Sequence, residues 1–435
     1  MGCPRNLVDS EVLLGILRSS GYEITDISEA DIGIVNTCAF IEDAKRESID
    51  MILEFLELKK SKRLSSVIVA GCLPQRYGET LLKGFPEVDA FIGCDQIAKI
   101  ADVIRRAERE RLCEVSDSPT FLYDHTMPRI FITPPHSIYV KISEGCENRC
   151  SFCAIPSIKG VYRSRPIESI LKEVETLSNR QKISEINLIG QDTTYYGKDI
   201  YGQPMITELL KRLCTFRTHR RWIRLLYTYP SHIDDGLINL LAHESSLCNY
   251  IDVPIQHINN TILGRMNRKM HREDIIRLIE KLRSNIPSLV LRSSVIVGFP
   301  GETQKEFEEL LAFVKEVRFE RLGVFTYSRE EGTPAFRYRE QVPEEVKLER
   351  FNLVMAAQKE IAEEINRSFL GKRIEVLIDE KDENAQDIYI GRTQGDAPEV
   401  DGEVFVKTKN TLKGGDFVNV KVTDTLDYDL VAEEI

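Results

Sequence analysis

The chain has 435 residues, 42% hydrophobic and 29% charged, with a formal net charge of −11. That length suits about three domains with ordinary cores. No apolar run approaches the ~20 residues of a bilayer-spanning helix, and no basic-then-apolar leader opens the chain. The acidic balance argues against direct nucleic-acid binding, which needs clustered Lys and Arg. Ten cysteines without a secretory signal point to the reducing cytoplasm and to metal or sulfur chemistry rather than disulfides.

Residues 1–112 alternate helical and strand patterns and predict a parallel doubly wound α/β domain. Asn6 to Ser19 carries apolar residues at helical spacing, with Gly21 as its stop. Ala30–Asn36 is a short strand before Thr37-Cys38 and a helix from about Ile41; Ser66–Ala70 is another before Gly71-Cys72 and the next helix. Cys38 and Cys72 thus each follow a strand and precede a helix, and Cys3 directly precedes the first helix. In a doubly wound sheet those positions share the carboxyl edge, where ligands bind. Three cysteines meeting there would form a three-thiolate site, with helix N-termini favouring thiolate. The alternative is that they are small apolar residues packed under the helices. Cys94, Cys113, Cys214 and Cys248 show no such placement and are assigned to packing.

Residues 113–135, with Ser-Asp-Ser-Pro and Thr-Pro-Pro-His and no periodicity, read as a linker. Residues 136–365 give six strand–helix units, with strands near Ser137–Ile142, Ser184–Ile189, Trp222–Thr228, Tyr250–Val253, Val290–Val297 and Leu322–Tyr327. Six parallel units suggest an open, partial (β/α) barrel with its chemistry at the strand C-termini. Just after the first strand comes Glu144-Gly-Cys146-Glu-Asn-Arg-Cys150-Ser-Phe-Cys153. Three cysteines at C-x3-C-x2-C spacing can cap three irons of a [4Fe–4S] cube and leave the fourth open to a small chelating ligand. A zinc site would more often show paired knuckles. A redox pair of Cys150 and Cys153 would leave Cys146 idle, and unrelated buried thiols are the bland alternative.

Other motifs sit at the same mouth. Gly190-Gln191-Asp192, after the second strand, offers close backbone approach and polar groups for an ammonium. Gln256, in Pro254-Ile-Gln-His257 after the fourth strand, offers hydrogen bonds. Gly298 lies in Val297-Gly-Phe-Pro-Gly-Glu-Thr303, a Gly-rich turn with a helix cap. Arg163 and Arg165, just past the cysteines, could pair with a carboxylate but would ordinarily be solvated. Residues 368–435 turn to short alternating strands, Arg373–Ile378, Asp387–Thr393, Glu403–Val406 and Asp416–Thr423, suggesting a small antiparallel barrel. They hold eight Lys plus Arg against sixteen Asp plus Glu, which suits a basic protein partner better than RNA.

The cysteine loop, with Phe152 before its last cysteine, resembles the signature of radical S-adenosylmethionine enzymes, and Gly190-Gln191-Asp192 resembles the motif that contacts the cofactor's amino group. Over the whole chain the sequence is similar to the radical S-adenosylmethionine methylthiotransferases, in Gly2-Cys-Pro-Arg-Asn6, Asn36-Thr-Cys-Ala-Phe-Ile41, Ala70-Gly-Cys-Leu-Pro-Gln75, Ser164-Arg-Pro166, Asp252-Val-Pro-Ile-Gln-His257 and Ile296-Val-Gly-Phe-Pro-Gly-Glu-Thr303. The resemblance implies a radical [4Fe–4S] cluster on Cys146, Cys150 and Cys153, an auxiliary one on Cys3, Cys38 and Cys72, and a C-terminal TRAM domain. Two S-adenosylmethionine molecules would serve, one to methylate a sulfur and one to generate the radical, with an electron donor and a sulfur donor as further partners. One branch of the family modifies adenosine in transfer RNA, the other an aspartate of small-subunit ribosomal protein twelve. Thr37 to Ser48 and Ala397 to Gly402 look like the ribosomal-protein branch. A non-catalytic iron–sulfur or zinc module is the reading from another class. Family members begin with an apolar strand before the first cysteine; here Cys3 stands two residues from the start, which leaves the N-terminal sheet one strand short, at its centre.

Overall fold

The structure, a computed structural model, describes residues 2–216 and 220–435. Four parallel strands run side by side in chain order, β1 (Ile32–Thr37), β2 (Ser66–Gly71), β3 (Ala90–Ile92) and β4 (Leu112–Glu114). Their side chains alternate between two buried faces, which is why they read as continuous apolar runs. Val35, Val67, Val69 and Phe91 pack beneath α2 (Glu42–Lys60) and α3 (Cys72–Gly84) through Ile52, Leu73 and Leu81. Ile68, Ala70, Ala90 and Ile92 meet Leu13 and Leu17 of α1 (Pro4–Ser19) and Val103 and Ile104 of α4 (Ile100–Ala107). Six residue pairs join β1 directly to β2, from Ile32–Ser66 to Thr37–Gly71. The central vacancy expected from the sequence is therefore absent.

The segment read as a linker is a packed strap. Its first residues belong to β4. Further on, Tyr123 is buried with the Arg165 guanidinium 4.3 Å from its ring centre. Arg129 pairs with Glu11 of α1 at 2.6 Å and with Glu173 at 2.9 Å. Buried charge pairs and scattered apolar contacts of Phe121, Met127 and Phe131 hold this strap, so no period marks it.

Six parallel strands form the central domain in two groups of three, Ser137–Lys141, Glu185–Ile189 and Trp222–Leu225, then Tyr250–Asp252, Val290–Val297 and Arg321–Thr326. A single bridge, Ile223 to Leu247, helps to join the groups. Their outer faces pack on helices through one large core that includes Ile138, Val140, Ile186, Leu188, Ile251 and Val295.

The C-terminal barrel has five strands, one more than expected. Arg373–Lys381, Ile388–Arg392, Val404–Lys407, Phe417–Thr425 and Leu430–Glu434 close on themselves, the last pairing parallel with the third and antiparallel with the fourth. This barrel docks against the beginnings of the central strands. Asp379 meets His136 at 3.1 Å, Gly415 accepts from Ser184 Oγ at 2.6 Å, and Phe417 packs edge-on against Trp222. The segment Asp396–Asp401 reaches deepest: Asp396 pairs with Arg321 at 2.5 Å and Asp401 accepts from Tyr250 Oη at 2.7 Å. The N-terminal domain covers the opposite end, the mouth.

Candidate active site

The cysteine loop opens with Gly145 at φ +78°, where a Cβ would stand 2.1 Å from the Val161 carbonyl oxygen, so only glycine fits this turn. Its rungs are hydrogen bonds to two other segments, the turn at Asp192 and the end of the helix Asn260–Arg265. Asn148 Nδ2 donates to Asp192 Oδ2 at 2.7 Å, Ser151 Oγ to the Arg265 carbonyl at 2.7 Å, and Asn267 Nδ2 to the Arg149 carbonyl at 2.7 Å. Cys153 N–H donates to the Cys150 carbonyl at 3.1 Å. Burial pushes the Cys146 thiol up to about 12 and raises Cys153 as well, and the three thiols lie close enough to repel one another as anions. Raised thiols of this kind give up their protons when a cation binds, as a metal-ligating thiol does.

Three turns of the N-terminal domain bring together the second set. Cys3 caps α1, Cys38 follows β1, and Cys72 opens α3 directly after β2. Asn36 Nδ2 ties the first two turns by donating to the Asn6 carbonyl at 3.1 Å and to Ser10 Oγ at 2.8 Å. Thr37 ties the last two, donating to the Ala70 carbonyl at 2.7 Å and accepting from Leu73 N–H at 3.2 Å. Gly2 lies so close to Cys38 that a Cβ on it would be 3.4 Å from Sγ. Burial raises Cys38, whereas for Cys3 the Arg5 guanidinium outweighs burial and lowers the thiol. Cys94 corrects the sequence reading. It follows β3 and opens a helical turn, and its thiol bonds that of Cys72, raising Cys72 and lowering Cys94.

Between the two sets runs a buried charged layer that the sequence did not announce. Lys141, on the first central strand, bonds Asp9 of α1 and Glu144 (2.7 Å); Lys159 bonds the same Asp9 at 3.0 Å. Gln191 donates to the other oxygen of Glu144. Arg5 donates from Nη1 to the Gly190 carbonyl at 2.9 Å and from Nε to Cys3 Sγ at 3.5 Å. Its charge is felt at Cys153 as well as at Cys3 and Cys38. Arg5 therefore links the two sets, bonded to Cys3 of one and acting through its charge on Cys153 of the other. The available signal was Arg5 and Asp9 one helical turn apart, with Glu11, on a helix whose other buried positions are mostly apolar.

The remaining candidates divide by what holds them. Asp192 is buried and fully engaged, accepting from Asn148, Thr194 and Tyr195 and facing His232 Nδ1 at 2.9 Å. It braces the cysteine loop, and in the same motif the Gly190 carbonyl accepts from Arg5 while Gln191 Oε1 is buried without a partner. Phe152 packs with Ile262, Met266, Phe299 and Tyr327. Gln256 holds φ +70°, unusual for a side-chain-bearing residue, and is pinned by backbone bonds to Ser294 and Ile296. Gly298 is buried at φ +71° against Lys347, where a Cβ would come within 2.3 Å of Cγ. Arg165, expected among solvated arginines, is fully buried and paired with Glu173 at 2.6 Å.

Among the described residues, no three His, Cys, Asp or Glu side chains gather around one ion position. A [4Fe–4S] cube needs no such single point, because its ligands bind different irons. All-thiol donor sets, each in a buried and rigid cradle, fit [4Fe–4S] chemistry.

Residues 140–314 match the radical SAM superfamily, residues 1–93 the uncharacterized protein family UPF0004, and residues 370–435 the TRAM domain. A protein from Pelotomaculum thermopropionicum named ribosomal protein uS12 methylthiotransferase RimO is 48% identical over 100% of this chain and 98% of its own length. One of the same name from Clostridioides difficile is 46% identical over 100% and 97%. Among solved structures, the radical S-adenosylmethionine methyltransferase TsrM from Kitasatospora setae shares the fold at a TM-score of 0.56 and 15% identity, over 83% of this chain and 87% of that one. With its three matched domains and relatives of this similarity along its whole length, the chain belongs to the radical S-adenosylmethionine methylthiotransferases of the RimO family.

Proposed function

We propose that this chain converts a C–H bond to C–SCH3 at the β-carbon of an aspartate in ribosomal protein uS12, small-subunit ribosomal protein twelve, in the cytoplasm. Cys146, Cys150 and Cys153 would hold the radical [4Fe–4S] cluster, and Cys3, Cys38 and Cys72 the auxiliary one. When bound, these clusters and two S-adenosylmethionine molecules supply the cleaving electron, the hydrogen-abstracting radical, and the sulfur with its methyl group. The observation that carries the reading is Arg5, bonded to Cys3 of one set and acting through its charge on Cys153 of the other, so that one substrate carbon can face both.

The chain's own residues orient and enclose. Gly190 and Gln191 offer the cofactor's amino group a carbonyl and an amide beside the cysteine loop, and Phe152 and Gln256 border the same mouth. The N-terminal domain is tied to the first central strand through Asp9 and Lys141. It is tied to the loop after the sixth by Glu330, which binds Arg76 at 2.6 Å and Lys45 at 3.0 Å. Closure on both sides excludes water from a radical site. The intact mass of ribosomal protein uS12 from cells with and without the gene tests the reading. The sulfur-plus-methyl increment should vanish in the deletion, and its persistence, or the loss of a methylthio group from transfer RNA instead, would overturn it.

A further inference from the structure

Among the described residues, Lys159, Arg268 and Arg5 reach the thiols. Lys159 is bound by Asp9 at 3.0 Å and lies 3.7 Å from Glu144. Arg268 donates to Cys150 Sγ at 3.6 Å and to the Pro254 carbonyl at 2.6 Å, with its plane 4.2 Å over Tyr229. Arg5 differs in acting on both sets, at Cys3 and at Cys153. Its Nε and Nη1 are occupied by Cys3 and Gly190, and among the described residues Nη2 has no partner and no carboxylate pairs with it.

The position of Arg5 is fixed from below. Its guanidinium lies 4.4 Å over the ring of Tyr227, just after the third central strand. Tyr227 holds φ +60° and donates its backbone N–H to Asp252 Oδ2 at 3.1 Å. Asp252 is in turn bound by Arg292 at 3.0 Å. A side-chain-bearing residue kept in a left-handed conformation by buried partners marks a position whose geometry is over-determined, as binding sites are. Glu144, the nearest acid, is already shared among Lys141, Lys159 and Gln191.

We propose that Arg5 binds the side-chain carboxylate of the substrate aspartate through its unpartnered Nη2 edge. The assignment rests on the function proposed above and specifies how that substrate is gripped. The carboxyl carbon is bonded directly to the β-carbon, so fixing the carboxylate places the β-carbon hydrogen between the two thiol sets. A planar guanidinium also reads charge: it pairs with aspartate and leaves a neutral asparagine amide poorly matched.

The test offers ribosomal protein uS12, and a form with its target aspartate changed to asparagine, to iron-loaded wild-type, Arg5→Gln and Arg5→Lys enzymes. Wild type should favour aspartate by about a hundredfold in kcat/KM, the scale of breaking a buried charge pair. Arg5→Gln should lose most of that preference while keeping its iron content, and Arg5→Lys, a point charge without the fork, should retain part of it. An unchanged preference in Arg5→Gln would overturn the assignment. So would loss of half the iron in that variant with an unchanged preference in Arg5→Lys, which would make Arg5 a partner of the Cys3 thiolate alone. A wild-type enzyme inactive on both substrates would instead refute the proposed function, and this assignment with it.

Discussion

Cys146, Cys150 and Cys153 sit in one loop braced by backbone and amide hydrogen bonds, whereas Cys3, Cys38 and Cys72 come from three turns that meet only when the N-terminal sheet forms. The first set meets Arg268 at Cys150 and the charge of Arg5 at Cys153, yet burial still drives Cys146 and Cys153 upward. The second lies under Arg5 and Lys159, which offset the charge of bound thiolate. One site is local, with two thiols raised by burial; the other is assembled by tertiary structure beneath Arg5 and Lys159. The first should survive damage to the domain packing that the second cannot.

The largest effect should come from separating the sites. Changing Cys146, Cys150 and Cys153 together to Ala should abolish cleavage of S-adenosylmethionine and remove about half the iron of two cubes. Changing Cys3, Cys38 and Cys72 to Ala should remove the other half and abolish methylthio transfer while cleavage continues. Cleavage that disappears in both triple variants would break the comparison. Next in size is Asp9→Asn. It leaves Lys141 and Lys159 facing Glu144 alone in a buried layer, a loss of the kind that costs about 3–5 kcal/mol. Thermal unfolding of the N-terminal domain should fall clearly, and iron should leave the second set first.

The opposite end of the central domain gives a pH test. Burial pushes Glu185 up, but Arg392 of the C-terminal barrel and Arg224 outweigh it and bring the carboxyl from 4.5 to about 2. A depressed carboxylate stabilises the fold above its unfolded value. The contribution, on the order of 3 kcal/mol at most, should be present at neutral pH and fade as pH falls from about 5 toward 2. Denaturant midpoints of wild type should decline across that window and those of Glu185→Gln should decline less. Equal slopes would remove Glu185 from the account.

How much of this was legible follows from range. The cysteine loop is contiguous, so residue spacing announced it. The six central strands are apolar runs with clear helices between them, so they were legible too. The convergence of Cys3, Cys38 and Cys72 needed the fold class as an intermediate, and Cys94 was missed because β3 is only three residues long. Leu430–Glu434 was missed because it ends in two glutamates and its pairing with Val404–Lys407 is long-range. Lys141, Lys159 and Asp9 were illegible because their partners lie on different domains, and a charge in a sequence reads as surface by default.

The acidic C-terminal barrel was expected to dock a basic partner, and the structure narrows which acids can do so. Asp396 and Asp401 are buried in pairs with Arg321 and Tyr250, so reversing their charge would break the domain interface rather than test docking. Glu399 and Glu403 are exposed. The barrel sits at the strand beginnings, away from the thiols, so its charge can steer approach but cannot orient the reacting aspartate. Exposed charges act over about a Debye length, ~8 Å at physiological salt. Glu399→Lys with Glu403→Lys should therefore slow association of ribosomal protein uS12 a few-fold at low salt, with the difference shrinking as salt rises. S-adenosylmethionine cleavage and iron content should not change. Association rates equal to wild type at every ionic strength would show that these acids only solvate the barrel, leaving substrate capture to the mouth where the two thiol sets meet.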